Sequence, residues 1–104
     1  MRAICLSLPQ SSEDAQFGRP VWRVGKRVFA QAFHQEGRWR TAFWVGIESQ
    51  GLLTGDRRFE IPRYFGNNGW ISLDVSRGHS EAELHSLALA SYRHFAPKRI
   101  LATL

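Results

Sequence analysis

The sequence predicts an α+β fold, an antiparallel sheet of about five strands with N- and C-terminal helices packed on one of its faces. Three observations predict it. Met1, Ile4, Cys5 and Leu8 at one end, and Leu84, Leu87, Ala88, Ser91 and Phe95 at the other, fall at helical spacing. Between the two ends the period changes to two, in segments rich in β-branched and aromatic residues. Those segments are separated by Gly25-Lys26, Gln35-Glu36-Gly37 and Gly66-Asn67-Asn68-Gly69, short stretches of the residues that hairpin turns use.

The elements follow in chain order. Residues 2 to 8 read as a short helix stopped by Pro9, too short to persist without a partner for its apolar stripe. Gln10 to Gln16 is polar and lacks periodicity, and Phe17-Gly18-Arg19-Pro20 reads as a turn into an extended segment. Val21 to Val24 and Arg27 to Phe33 flank Gly25-Lys26, a Gly-X pair suited to a two-residue type II′ turn, which sets Lys26 at a hairpin tip. After the turn at residues 35 to 37, Trp39, Thr41, Phe43, Val45 and Ile47 share one face of a strand, and Arg40, Ala42, Trp44 and Gly46 the other. Glu48 to Phe59, with Gly51 and Gly55 bracketing Leu52-Leu53, carries no clear period. A last hairpin joins Ile61–Phe65 to Trp70–Val75 through residues 66 to 69, which tolerate positive φ. The final helix, residues 81 to 96, opens with a capping box, Ser80 and Glu83, and carries Arg93 and His94 at its negative end. Pro97 blocks its continuation.

A chain of 104 residues is one ordinary domain, residues 1 to 104, able to bury roughly two-thirds of its unfolded surface. Hydrophobic residues at 43% and aromatics at 12% exclude a disordered chain. The longest apolar runs fall far short of the ~20 residues of a membrane helix, and Ile4 to Leu8 is too short for a secretory core, so a cytoplasmic protein with no membrane partner is expected. One cysteine, Cys5, excludes an internal disulfide and suits a reducing compartment. The net charge is +5, and residues 23 to 63 hold eight Lys/Arg against four acids. The positive potential therefore lies on strands and loops, where a polyanion would meet the sheet side. The same charge also serves solubility.

Catalytic and cofactor chemistry finds little support. Cys5 sits on an apolar stripe with no neighbouring histidine, and no Gly-x-Ser-x-Gly elbow occurs. His34, His79, His85 and His94 form no His-Glu-x-x-His motif and read as surface residues, and one cysteine cannot build a thiolate zinc site. Asp74, Glu81 and Glu83 do not make a cation site: Asp74 alternates on a strand and the two glutamates serve the helix start. Phosphate-binding glycine loops are missing. No enzyme, no metal and no cofactor are expected.

What remains is cations interleaved with aromatics: Trp22-Arg23, Lys26-Arg27, Arg38-Trp39-Arg40 and Arg57-Arg58-Phe59. Nucleic-acid surfaces combine cations for phosphates with rings for stacking, although a half-packed strand gives the same alternation. Arg23, Lys26, Arg27, Arg38, Arg40, Arg57, Arg58 and Arg63 are the candidate contacts to duplex DNA. A protein-interaction or small-ligand-binding domain, with an aromatic pocket near Trp22, Trp44 or Trp70, is the alternative.

Several short motifs, in order, carry a family resemblance: Leu8-Pro9, Phe17-Gly18-Arg19-Pro20, Val24-Gly25-Lys26, Val28-Phe29-Ala30, the run Arg63 to Val75, the helix from Ser80 to Arg93 with Ser91-Tyr92-Arg93, and Ala96-Pro97-Lys98-Arg99. Through them the chain resembles the bacterial MmcQ/YjbR family. The resemblance implies a fold often compared with the frataxin-like CyaY proteins, a short helical or irregular connection over Glu48 to Phe59, and burial of Trp70 and Tyr92. The family is a candidate DNA-binding family whose proposed mode is a pair of hairpin wings, which here fall on Arg23 to Arg27 and Arg57 to Arg63. Iron-binding frataxin-like proteins use an acidic ridge on their first helix. Here that helix carries Arg2 and no acid, so iron binding is not implied.

Overall fold

The computed structural model describes residues 1–16, 18–62 and 68–102. They form α1 (Arg2–Leu6), β1 (Ser11–Gln16), β2 (Arg19–Val24), β3 (Arg27–Gln35), β4 (Arg38–Trp44), α2 (Ile47–Leu53), β5 (Phe59–Glu60), β6 (Trp70–Asp74), α3 (Glu81–Phe95) and α4 (Lys98–Leu101), with a 3-10 turn at Val75–Arg77. All six strands make one antiparallel sheet in the order β1-β2-β3-β4-β6-β5. The sequence suggested about five strands.

Both turns read from glycine hold. Val24 pairs with Arg27, and Gly25 alone of the two turn residues has positive φ (61°), the type II′ pattern. Gln35 pairs with Arg38, and Glu36 and Gly37 both have positive φ (54° and 78°), which makes that turn type I′. Strand alternation then fixes two faces. One face carries Trp22, Ala30, Ala32, Phe43, Ile71, Leu73 and Phe59, packed with Cys5 and Leu8 at the N-terminal end and with Leu84, Ala88 and Tyr92 of α3. The helices α1 and α3 therefore both lie on it. Tyr92 ties them together: its ring meets Phe29 edge-on at 5.5 Å and its hydroxyl donates to the Pro9 carbonyl at 2.5 Å. Burial raises the pKa of that phenol. The opposite face carries Val21, Gln31, Phe33, Arg40, Ala42, Ser72 and Asp74.

Ser91 closes a defect in the sheet. The β2–β3 register shifts between Trp22 and Arg23, leaving Phe29 as the extra residue. Beyond Ala30–Phe43, the hydroxyl of Ser91 stands between β3 and β4, donating to the Phe29 carbonyl at 2.6 Å and accepting from the Trp44 N–H at 3.0 Å. One side chain of α3 thus replaces a missing rung of the ladder.

Several expectations require correction. Residues 11–16 form an edge strand although their sequence is polar but for Ala15; all but Ser11 are exposed, so no apolar face marks them, and pairing with β2 holds them. The β4 strand ends at Trp44 and does not reach Ile47. Gly46 turns the chain at φ 91°, Val45 and Gly46 both donate to the Gly69 carbonyl (2.8 and 3.1 Å), and Ile47 starts α2, exposed. α1 ends at Leu6, and Pro97 interrupts α3 only to precede α4. Tyr92 is fully buried, whereas Trp70 is half-buried, its ring stacked on Phe95 at 5.8 Å. The expected loop of the last hairpin and most of its first strand lie outside the described residues; within them, Phe59–Glu60 already pairs with Leu73–Ser72.

Candidate nucleic-acid interface

The eight cations named from sequence separate into distinct places. Arg23, Lys26 and Arg27 belong to the β2–β3 hairpin tip. Arg38, Arg40 and Arg57 gather at the far end of the same sheet, around one cavity. Arg58 stands apart as a strut, and Arg63 lies outside the described residues. β3 runs from Arg27 to Gln35, eight steps of ~3.3 Å, so the two groups are about 26 Å apart.

At the tip, a Cβ placed on Gly25 would stand 3.5 Å from the Pro97 ring, so the turn rests against the residue that opens α4. Lys98 and Arg99 follow Pro97 directly in α4, as Lys26 and Arg27 follow Gly25, so the start of α4 lies at the same end of the molecule as the tip. All four are exposed, and none forms an ion pair with a described residue. Arg23 is more occupied: it is half-buried, 3.6 Å from Asp14, and donates to the Lys26 carbonyl at 3.4 Å. Sequence reading took Pro97-Lys98-Arg99 as a helix stop only. Its place next to Gly25 comes from tertiary packing, which no local spacing reports.

Arg58 is committed to holding the molecule together. Its guanidinium forms paired hydrogen bonds to Glu83 (2.7 and 2.8 Å) and reaches Asp56 (2.8 Å) and the Gly78 carbonyl (3.0 Å). These bonds hold Glu83 and Asp56 below the usual carboxylate range. Glu83 therefore has two duties, since its backbone N–H also donates to the Ser80 cap oxygen at 3.0 Å. The bidentate pair anchors the segment before β5 to the first turn of α3.

Asp74 organises the far end. Only 2% exposed, it accepts from the Ser76 hydroxyl (2.6 Å) and N–H (3.0 Å) on one oxygen. The other oxygen accepts from Arg38 at 3.0 Å and faces Arg77 at 3.4 Å and Arg40 at 3.9 Å. The Ser76 hydroxyl first, then Arg38, hold its carboxyl well below the ordinary range against the opposing effect of burial. Arg40 is buried and spends its N–H groups on the Ser72 hydroxyl and carbonyl and on the Arg58 carbonyl. Arg77 was not among the residues singled out from sequence; the register pairing Arg40 with Asp74 is what brings it here.

Of the aromatics interleaved with cations, Trp22 and Phe59 belong to the core, and the Trp22 indole donates to Glu13 at 3.0 Å. Trp39 is 52% exposed, its ring edge-on to His34 at 5.2 Å, and is open to stacking. All four histidines are exposed. Burial pushes the Cys5 thiol up to about 12, which keeps it protonated and unreactive at neutral pH. Among the described residues no group of three His, Cys, Asp or Glu side chains is placed to hold a metal, and no helix is long and apolar enough to cross a membrane.

The fold and the order of its motifs define an α+β module of a known kind, and comparison with known proteins gives its family. The YjbR family model matches residues 6–94, and the chain belongs to that family. A Deinococcus radiodurans protein with a DUF419 domain is similar in structure, with a TM-score of 0.75 at 21% identity over 88% of this chain and 72% of the other. A Pseudomonas syringae protein solved as a structural-genomics target has a TM-score of 0.71 at 14% identity, over 84% of this chain and 88% of the other. At such identities the likeness is one of fold. No match is found among curated proteins.

Proposed function

We propose that this YjbR domain is a non-enzymatic DNA-binding module that engages the phosphate backbone through the β2–β3 tip and the start of α4. The observation that carries the reading is the Gly25–Pro97 contact, which sets the start of α4, with Lys98 and Arg99, against the tip that bears Lys26 and Arg27; all four cations are exposed and without ion pairs among the described residues. Long cations at a tip reach a backbone at little cost in buried surface, and cations not already paired release counterions when they bind it. Arg58, by contrast, would have to give up its carboxylates first. Phosphate contacts carry no sequence information, so binding is expected to be weakly sequence-dependent and micromolar. The test is a fluorescence-anisotropy titration of a labelled 20-base-pair duplex at salt concentrations from ~50 mM upward. A linear fall of log affinity with log salt, at about −0.9 per contact and four to six contacts, supports the reading. Absence of binding to duplex or single-stranded DNA at ~50 mM salt, where screening is weak, overturns it in favour of an interaction domain.

A further inference from the structure

The second group of cations, about 26 Å along β3 from the tip, has a different character. Arg38 and Arg40 of β4, Arg57 from the segment before β5, and Arg77 from the 3-10 turn line a cavity of about 300 Å³ on the sheet face away from the helices, with Asp74 beneath them. Such a volume is at the small end of ligand sites. We propose that this cavity binds a small free dianion, a phosphate ester or a short dicarboxylate, independently of the DNA-binding tip.

The chemistry of the lining argues for an acceptor-rich ligand. Asp74 has both oxygens engaged and offers nothing to a cation. Arg40 is buried and already bonded, so those two charges cancel within the fold. Arg38 and Arg77 each turn one N–H toward Asp74 while their side chains stay about half exposed (49% and 47%). Arg57 is exposed and makes no ion pair with a described residue. An arginine carries five N–H donors in a fixed fork, so three guanidiniums present more donors here than the protein itself uses. Glu36 and Glu60 also line the cavity, which lowers its net charge to +1: four arginines against three acids. Both are exposed, and the ion pair Glu60 forms among the described residues is with the buried Arg40, at 3.7 Å. A ligand with two closely spaced charges and planar or tetrahedral oxygens suits several forks at once, which a single chloride does not.

The test is isothermal titration of the full chain with inorganic phosphate and with succinate, each against sodium chloride of equal ionic strength. Saturable one-to-one binding of either is expected. Arg57→Ala and Arg77→Ala should each weaken it about tenfold, the value of one charge-assisted hydrogen bond. Lys26→Ala/Arg27→Ala should leave it unchanged, and a 20-base-pair duplex should not displace the anion. Amide spectra of the variants report whether each is folded, and Arg57, which bonds to no described residue, provides the variant least able to disturb the fold. Neither anion binding, loss of binding through the tip variant instead of the cavity variants, or displacement by duplex would each overturn the proposal. The last result would leave DNA binding standing and make the cavity part of that surface.

Discussion

Replacing Ser91 by Ala tests the packing of α3 on the sheet at its narrowest point. Ser91 is fully buried, and its hydroxyl makes two hydrogen bonds to backbone groups of different strands. Each contributes on the order of 1 kcal/mol net, and the alanine also leaves the Phe29 carbonyl and the Trp44 N–H facing a small void. Phe29 is fully buried, so its carbonyl bears a desolvation penalty; Trp44 is half-buried, and water reaching its N–H limits the second one. The higher helix propensity of Ala returns about 0.5 kcal/mol. The net expectation is a loss of about 2–3 kcal/mol at 25 °C, a large share of the stability of a domain this size. Urea unfolding followed by tryptophan fluorescence measures it, with exposed Ser86→Ala on the same helix as control, expected within about 0.5 kcal/mol of the parent. A Ser91→Ala loss no larger than that of the control would refute the bridging role.

Three further outcomes follow from buried or strained positions. Asp74 has a depressed carboxyl pKa in the fold, so the stability it contributes is present above the unfolded value near ~3.9 and is lost as pH falls below it. Asp74→Asn should cost about 2–3 kcal/mol at pH 7, discounted for its half-exposed arginine partners, and flatten the acid limb of stability between pH ~4 and ~2.5; an unchanged acid limb contradicts the assignment. Gly69 has φ 100°, and a Cβ there would lie 2.7 Å from the Gly46 backbone, so Gly69→Ala should cost about 3 kcal/mol or more, whereas Gly37→Ala meets open space and should cost about 1 kcal/mol by the same urea assay. The Thr41 hydroxyl is buried without a hydrogen-bond partner among the described residues, so Thr41→Val should raise the melting temperature, by about 1 kcal/mol of stability; a fall would show that the hydroxyl has a partner.

How much was legible in the sequence depends on whether the signal was local. The type II′ turn at Gly25-Lys26, the place of the turn at residues 35 to 37, the Ser80 cap and the α3 stripe are set by residues adjacent in sequence or one helical turn apart, and each appears as read; the type I′ form of the second turn came from the structure. The β1 strand was not legible, because an edge strand solvated on most of its surface has no apolar alternation and leans on β2 for its existence. The end of β4 was misread because Val45 and Ile47 continue its period; the interruption comes from Gly46 meeting Gly69, a contact between residues 23 positions apart. The cation set behaves likewise. Lys26 at a tip follows from Gly25, but Lys98 and Arg99 join it only through Pro97, and Arg77 joins Arg38 only through the register of β4 on β6. Arg57 and Arg58 are neighbours in sequence with opposite fates, one exposed and unpaired among the described residues, the other held by Glu83 and Asp56.

In the proposed function the tip and the start of α4 meet DNA while the arginines at the other end do not. Its most direct test is the salt dependence of duplex binding measured side by side for the parent, Lys26→Ala/Arg27→Ala and Arg57→Ala/Arg77→Ala. The tip variant should lower the slope of log affinity against log salt by up to about two units and weaken every duplex alike. The cavity variant should keep the parent slope within error. Equal losses of slope in both variants, or a loss confined to the cavity variant, would contradict it.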